Sequence, residues 1–210
     1  MWPVAMRSMR ESWGFLSLCF ASMICWSATP VAQQDPLEVR SMVLRPCEQG
    51  LPGDCIKVDV TLMLDAPIDT VWEVITDYQQ AAQFISNLRS SSAKQLGPNK
   101  LQVEQVGRVG WNALNVDIKT VYHVNLNPVD KKIQSLAVAG DLKMVSMRTQ
   151  LHTQANGGTL LEYTLTTDPG RWAPLVIAEE LLLRNAKQSF SDLKREILKR
   201  ASAAPNKPAS

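Results

Sequence analysis

The sequence contains few of the side chains that enzymes use to bind metals or to transfer protons. Its 210 residues include only two histidines, His123 and His152, and both are far in sequence from the cysteines. Two histidines cannot build a histidine-rich metal site. The chain also has no P-loop, no G-x-G-x-x-G fingerprint, no G-x-S-x-G elbow and no H-E-x-x-H motif. We therefore expect no metal, no cofactor and no catalytic residues.

An excess of charge of one sign is also missing. The 22 Lys and Arg residues nearly balance the 20 Asp and Glu residues, and the formal net charge is +2. Proteins that bind nucleic acids normally carry a basic patch, so we expect no nucleic-acid partner. The basic residues near the C-terminus, Lys194, Arg195, Lys199 and Arg200, are interpreted as a solvated helix end, with transient membrane contact as the alternative.

The apolar run near the N-terminus is too short to cross a bilayer comfortably. Trp13–Trp26 has fourteen residues, whereas a spanning helix needs about 20. The run follows Arg7 and Arg10 and precedes the small residues of Ser27–Ala32, an order typical of a secretory signal peptide. We predict that residues 1–32 are a cleaved signal and that the protein is periplasmic or secreted. A retained N-terminal anchor is the alternative.

Only four cysteines are present, and Cys19 and Cys25 fall within the predicted signal. Cys47 and Cys55 remain, in a stretch that contains Pro and Gly. In an oxidising compartment such a pair forms a local disulfide. A redox or metal pair is the weaker alternative, because the spacing is not C-x-x-C. Residues 33–55 are therefore predicted to be an N-terminal arm that carries a disulfide loop.

Apolar periodicity predicts one α+β domain over residues 56–201. Ile56–Leu64 alternates between apolar and polar positions, which is typical of a half-buried strand. Two short helices follow, and then six strands separated by short turns, which favour antiparallel pairing. A long helix from Trp172 to Ala201 completes the order. These elements predict a curved, seven-stranded antiparallel sheet with the long helix across its concave face.

One stretch carries a family resemblance. The first strand runs into Ala66–Tyr78, which reads APIDTVWEVITDY, and Phe84-Ile85 precedes the strand meander. With Asn156-Gly157-Gly158-Thr159 and a terminal helix that opens near a proline, this order resembles the START-like helix-grip (SRPBCC) superfamily. Within it, the chain is similar to the polyketide cyclase/dehydrase and coenzyme Q-binding START-domain group. The resemblance covers about Ile56–Ala201 and leaves residues 202–210 as a disordered tail. It implies a helix-grip fold with a deep apolar cavity between the sheet and the last helix.

The residues that would face such a cavity lie on the inward faces of the predicted elements. On the long helix, Ala178 and Ala186 are small and leave space, and Glu179 is a candidate anchor for a ligand head group. Tyr122 and Tyr163 are candidates to present hydroxyl groups, although inward tyrosines are more often core residues. The predicted ligand-binding residues are Trp111, Leu114, Val116, Ile118, Tyr122, Met147, Tyr163, Leu175, Ala178, Glu179, Leu182 and Ala186. A close-packed core would give the same pattern and remains the alternative.

The apolar interior and the scarcity of catalytic side chains predict a non-catalytic protein. We expect it to bind or transport an apolar small molecule of the lipid or quinone class, and to act as a monomer. Two other functions stay open. One is a cyclase- or hydratase-like enzyme of the same fold, in which inward tyrosines and Glu179 transfer protons. The other is a partner-binding module whose cavity is filled by side chains.

Overall fold

The computed structural model describes residues 36–47, 53–111, 114–142, 144–170 and 174–203, and of Trp111 and Leu114 it describes only the backbone. Contacts divide the chain into two units, residues 1–34 and residues 35–210, and the described residues belong to the second unit. The predicted signal peptide and most of the predicted C-terminal tail lie outside the described residues.

Eight strands form one antiparallel sheet in the described part of the chain. The strands are β1 (Leu37–Leu44), β2 (Cys55–Leu64), β3 (Leu88–Gly97), β4 (Lys100–Trp111), β5 (Leu114–Asn127), β6 (Lys132–Gly140), β7 (Met144–Thr153) and β8 (Thr159–Asp168). The helices are α1 (Ile68–Thr76), α2 (Ala81–Phe84) and α3 (Leu175–Ala203). Across the sheet the strand order is β1-β2-β8-β7-β6-β5-β4-β3. The predicted α+β architecture is therefore confirmed, but with eight strands in place of seven.

The additional strand is β1, which lies in the segment predicted to be an extended arm. It pairs antiparallel with β2 over its whole length. Its inward positions are Leu37, Val39, Ser41 and Val43. Because a serine stands among the inward positions and Met42 faces outward, the two-residue period that marks a strand is hidden in the sequence. The seven-strand prediction was wrong for this reason.

A disulfide closes the connection between β1 and β2. The Cα atoms of Cys47 and Cys55 are 5.2 Å apart, and their sulfur atoms are bonded. Both cysteines are buried. The Cys47 N–H also donates a hydrogen bond to the Gly53 carbonyl at 3.1 Å. The predicted disulfide is confirmed.

The main core lies between β2, α1 and the C-terminal half of α3. The inward residues of β2, from Ile56 to Leu64, are at most 3% exposed, as their strict alternation predicts. They form one apolar cluster with Val71 and Val74 of α1 and with Phe190, Leu193 and Ile197 of α3. This end of α3 is therefore fixed to the sheet by packing.

The course of α3 creates a space above the middle of the sheet. The helix follows Pro174, whose carbonyl accepts hydrogen bonds from the N–H groups of Ile177 and Ala178, and it ends two residues beyond the predicted end. Its backbone comes close to β1 and β2 at one edge and to β4 near the other. Close backbone contacts with the central strands are few or absent in the described residues. The sheet therefore curves around α3 and leaves a gap between the helix and the central strands. Only side chains extend into this gap. None of the described helices is both long and apolar enough to cross a membrane.

Candidate functional site

The gap beneath α3 is a cavity of about 210 Å³. Side chains from β4, β5, β7, β8 and α3 surround it. Its apolar wall includes Leu88, Val109, Ile118, Leu142, Val145, Met147, Leu165, Pro169, Leu182, Ala186 and Phe190. We call this space the first lobe. It remains open because the backbone of α3 comes close to β1, β2 and β4 but, among the described residues, makes few or no close contacts with the strands between β2 and β4.

A second lobe of about 160 Å³ lies beneath α1 and α2. Gln105, Tyr122, Met147, Tyr163 and Phe190 border both lobes. The partition between the lobes is therefore made of side chains and not of backbone. Each lobe alone is smaller than a typical small-molecule pocket, but together they reach the lower part of the usual range of about 300–1,000 Å³.

Three tyrosines supply hydroxyl groups to the lobes. Burial raises the pKa of Tyr78, Tyr122 and Tyr163. Ser135 and Thr120 offset part of this rise for Tyr78 and Tyr122, because their side chains hydrogen-bond the phenol groups. All three phenols are therefore uncharged at neutral pH and can act as hydrogen-bond donors.

Tyr163 stands between the two lobes. Its ring packs against Phe190 with a centroid distance of 5.0 Å and an interplanar angle of 57°. Within the described residues its hydroxyl group has no hydrogen-bond partner, and the phenols of Tyr122 and Tyr78 contribute to its raised pKa. A ligand oxygen in either lobe would give this hydroxyl an acceptor.

Asn185 lies in the wall of the first lobe, and its side-chain oxygen is covered by neighbouring protein atoms. Its side-chain oxygen Oδ1 is the one buried side-chain polar atom that lacks a hydrogen bond in the described part of the chain. The neighbouring polar side chains are already bonded to each other. Asn87 Nδ2 donates to the Asn185 backbone carbonyl at 3.2 Å and to Ser189 Oγ at 2.9 Å, and Ser189 Oγ donates to Asn87 Oδ1 at 3.0 Å.

A buried carboxylate fixes the segment between α2 and β3 to α3 beside the cavity. The Asp192 side chain is 1% exposed. It accepts hydrogen bonds from the Ser86 N–H at 2.9 Å, the Ser86 hydroxyl at 2.5 Å, Gln188 Nε2 at 3.1 Å and an Arg195 guanidinium nitrogen at 2.6 Å. Four donors satisfy this charge, so Asp192 is a structural group and is not available to a ligand.

The structure brings half of the predicted site residues together. The residues that line the first lobe are Ile118, Tyr122, Met147, Tyr163, Leu182 and Ala186. Ala178 is fully buried in the main core, and Leu175 packs against the same core. Glu179 lies outside the walls of both lobes, although it is partly buried. Val116 shares the inward face of β5 but is 54% exposed near the start of the strand. The side chains of Trp111 and Leu114 lie outside the described set.

Several wall residues were missed by the sequence analysis, among them Gln105, Thr120, Asn185 and Ser189. Asn185 and Ser189 follow Leu182 at three and seven residues, which places all of them on one face of α3. Polar residues inside an apolar stripe are the signal that could have identified them. Gln105 and Thr120 carry no such signal, since polar residues are common on strands.

No group of three or more His, Cys, Asp or Glu side chains in the described residues is arranged to hold a metal ion. The first lobe has no Asp, Glu, Lys, Arg or His among its described wall residues. In the second lobe the one acidic wall residue, Asp77, accepts a hydrogen bond from Arg200 at 3.0 Å. Apart from this Asp77–Arg200 pair, the described walls of both lobes are apolar or carry neutral polar groups.

A family model described as polyketide cyclase / dehydrase and lipid transport matches residues 56–197. No curated protein matches the chain.

Solved structures share the fold at low sequence identity. A START superfamily protein from Mycobacterium smegmatis is 14% identical with a TM-score of 0.59, and the match covers 69% of this chain and 98% of that one. The Zhui aromatase/cyclase from Streptomyces sp. R1128 is 16% identical with a TM-score of 0.60, covering 78% and 96%. A STAR-related lipid transfer protein from Xanthomonas axonopodis is 16% identical with a TM-score of 0.61, covering 78% and 94%.

Proposed function

Because the chain belongs to the polyketide cyclase/dehydrase and lipid-transport family, we propose that it binds or transports an apolar small molecule in the two lobes beneath α3. The family agrees with the resemblance carried by Ala66–Tyr78. We place the ligand in the lipid or quinone class, as expected from the sequence.

The observation that carries the proposal is the unfilled apolar space itself. Protein interiors are normally close-packed, with few voids larger than a water molecule. Here two lobes of about 210 and 160 Å³ lie side by side in one domain, bordered mostly by apolar side chains. An empty apolar cavity costs stability because its walls lose packing contacts. A ligand of matching shape would restore those contacts.

The composition of the walls supports binding without catalysis. General acid–base chemistry works best with a group whose pKa lies near the working pH. The phenols of Tyr78, Tyr122 and Tyr163 have pKa values raised above the ordinary value by burial. Glu179, the predicted proton-transfer partner, does not border either lobe. The cyclase-like alternative therefore lacks a described proton-transfer pair, although one relative is named an aromatase/cyclase.

We further propose that the protein acts in the periplasm or outside the cell, as a monomer. The Cys47–Cys55 disulfide supports the proposed compartment, because disulfides persist in oxidising compartments and are rare in the cytosol. The signal-like order of residues 1–32 points to the same compartment.

Filling the first lobe tests the proposal. Ala186 borders this lobe, so in Ala186→Trp the indole should occupy ligand space and abolish uptake of N-phenyl-1-naphthylamine, an uncharged apolar fluorescent dye. The thermal midpoint should change little, because overpacking a filled core costs about 1–3 kcal/mol whereas an open lobe accommodates the ring.

Ala155→Trp is the matched control, since Ala155 is exposed in the turn after β7. It should leave dye binding unchanged. The proposal fails if the wild-type protein takes up no dye and Ala186→Trp strongly lowers the thermal midpoint, because both results describe a packed core.

A further inference from the structure

The hydroxyl group of Tyr163 is an accessible polar group at the junction of the two lobes. Tyr163 borders both lobes, and its hydroxyl group has no hydrogen-bond partner within the described residues. In the same part of the chain, Asn185 Oδ1 is the one side-chain polar atom that is both unpaired and covered by protein atoms. The unpaired oxygen of Tyr163 is therefore not covered, and part of its surface remains accessible.

This accessible surface faces the interior of the domain. Tyr163 packs against the main core, and its ring lies on Phe190 of α3. Burial raises the pKa of the Tyr163 phenol, and the phenols of Tyr122 and Tyr78 raise it further, so they lie near the Tyr163 hydroxyl group. Tyr122 borders both lobes and Tyr78 borders the second. The Tyr163 hydroxyl group thus lies among lobe residues and keeps its proton at neutral pH.

The neighbouring polar groups at this junction already have partners. The side chain of Ser135 hydrogen-bonds the Tyr78 phenol, and that of Thr120 hydrogen-bonds the Tyr122 phenol. Gln105, which borders both lobes, donates from Nε2 to Ser91 Oγ at 3.1 Å. A polar group that is buried without a hydrogen bond is unfavourable. An acceptor atom that arrives with a ligand would remove this penalty for Tyr163.

The charges of the walls favour an uncharged acceptor. None of the described wall residues of the first lobe is Lys, Arg, His, Asp or Glu. The charged wall residue described for the second lobe is Asp77, an acid that is already paired with Arg200. A carboxylate or phosphate at Tyr163 would be buried without a cation of its own, which is strongly unfavourable. A neutral carbonyl oxygen accepts a hydrogen bond without that cost.

Apolar surface lies on both sides of the junction. Ile118 and Leu182 belong to the wall of the first lobe, and Val124 and Ile133 belong to the wall of the second. Side chains and not backbone separate the lobes, so one molecule can extend from the junction into both. A carbonyl group flanked by apolar groups on its two sides fits this arrangement.

We infer that the ligand is an uncharged molecule whose carbonyl oxygen lies at the junction of the lobes and accepts a hydrogen bond from the Tyr163 hydroxyl group. This inference rests on the proposed binding function and specifies its ligand. Tyr163 then acts as a specificity-determining residue, because it separates ketones and esters from plain hydrocarbons and from anions of the same shape.

Three tricyclic probes of the same shape test the inference. 9-Fluorenone has a neutral carbonyl group between two aromatic rings, fluorene has a methylene group in its place, and fluorene-9-carboxylate is an anion at pH 7. Tyr163→Phe removes the hydroxyl group and keeps the ring. This variant should bind 9-fluorenone about three- to tenfold more weakly than the wild type, the effect of one neutral hydrogen bond. It should bind fluorene unchanged, and the wild type should bind the carboxylate more weakly than 9-fluorenone.

Infrared spectroscopy of the bound ketone gives a second readout that does not depend on affinity. A carbonyl group that accepts a hydrogen bond absorbs at a lower frequency than the same group in a hydrocarbon solvent. Bound 9-fluorenone should show the lower frequency in the wild type and the hydrocarbon value in Tyr163→Phe. Glu162→Gln is the matched control, since Glu162 precedes Tyr163 on β8 but is exposed. It should change neither the dissociation constants nor the carbonyl frequency.

The outcomes separate this inference from the proposed function. If Tyr163→Phe binds 9-fluorenone as the wild type does, or loses fluorene equally, the assignment to Tyr163 is wrong while apolar binding stands. A hydrocarbon-like carbonyl frequency in the wild type leads to the same conclusion. If the carboxylate binds best, or if N-phenyl-1-naphthylamine binds and no tricyclic probe does, the inference about the ligand is wrong. If neither the dye nor the probes bind, the binding function itself is contradicted, and the inference falls with it.

Discussion

Asp192 shows how one polar side chain fixes the edge of the cavity. It is a carboxylate on the inward face of α3, and it accepts hydrogen bonds from both the backbone N–H and the hydroxyl group of Ser86. Burial alone would raise the pKa of Asp192, but the hydrogen bonds from Ser86, Gln188 and Arg195 outweigh burial, and the net effect lowers the pKa. The charged form is thus the form that the folded protein stabilises.

This arrangement predicts an acid-sensitive contribution to stability. A carboxyl group whose pKa is lower in the folded state contributes stability above its unfolded pKa of about 3.9, and the contribution is lost as the pH falls through the folded value. Asp192→Asn should therefore reduce the free energy of unfolding by about 1–3 kcal/mol at pH 7, because its amide cannot satisfy the same donors. The difference between variant and wild type should shrink below pH 4.

Urea unfolding at pH 7 and pH 3 measures the free-energy difference between Asp192→Asn and the wild type at each pH. Asp65→Asn is the control, since Asp65 is an exposed carboxylate before α1. An Asp192→Asn variant as stable as the wild type at pH 7 would show that the carboxylate does not hold the α2–β3 segment.

At the scale of single elements, the end of β6 shapes the cavity wall. The pairing of β5 with β6 shifts register between Val121 and Tyr122, which marks a bulge. Gly140 closes this pairing opposite Thr120 with φ +133°. The bulge turns the strand next to Thr120 and Tyr122, which both border the first lobe.

Gly140 is predicted to tolerate no side chain. A Cβ atom there would lie 2.3 Å from the Lys119 carbonyl oxygen and 2.8 Å from the Thr120 Cα atom. In Gly140→Ala, β5 would have to move away from β6, and backbone strain of this kind costs about 1–3 kcal/mol beyond the contact itself. We expect a lower thermal midpoint and weaker uptake of the dye, since the wall at Thr120 shifts.

Gly157→Ala provides the matched comparison. Gly157 also has a positive φ, +82°, but a Cβ atom there meets nothing within 4 Å. Gly157→Ala should lose stability only because alanine disfavours a positive φ, and it should bind the dye as the wild type does. Equal losses of stability and of dye binding in Gly140→Ala and Gly157→Ala would mean that the contact of residue 140 with β5 has no effect.

The whole molecule combines a core packed against both ends of α3 with open space beneath the middle of the helix, from Leu182 to Phe190. β1 extends the sheet beneath α3, and the disulfide closes the connection between β1 and β2. The core therefore keeps the domain folded while the lobes remain available to a ligand.

Export and oxidation can be tested together on the whole chain. We expect the secreted product to begin near Thr29 or Gln33 and to have the intact mass of a protein with one disulfide. Cys47→Ser should lower the free energy of unfolding by about 2–3 kcal/mol, the chain-entropy value for a short loop. Two alkylatable thiols in freshly exported protein, or a product that retains residues 1–32, would contradict this prediction.

The sequence alone determined most of the elements, because their signals are local. The alternation of Ile56–Leu64 predicts β2, and the turn at Asn156-Gly157-Gly158 separates β7 from β8. The apolar stripe that predicts α3 and the short spacing of Cys47 and Cys55 are equally local signals. Only β1 was missed, because Ser41 interrupts its inward row.

Which apolar positions border open space was decided by the tertiary structure. Ala178 and Ala186 are identical side chains two turns apart on one face of α3, and the sequence assigns them the same role. Ala178 is fully buried in the main core, whereas Ala186 faces the first lobe. The difference arises because α3 approaches the curved sheet closely at its edges and passes above its central strands. The distance between helix and sheet is a property of the assembled fold, and a periodic pattern in the sequence does not encode it.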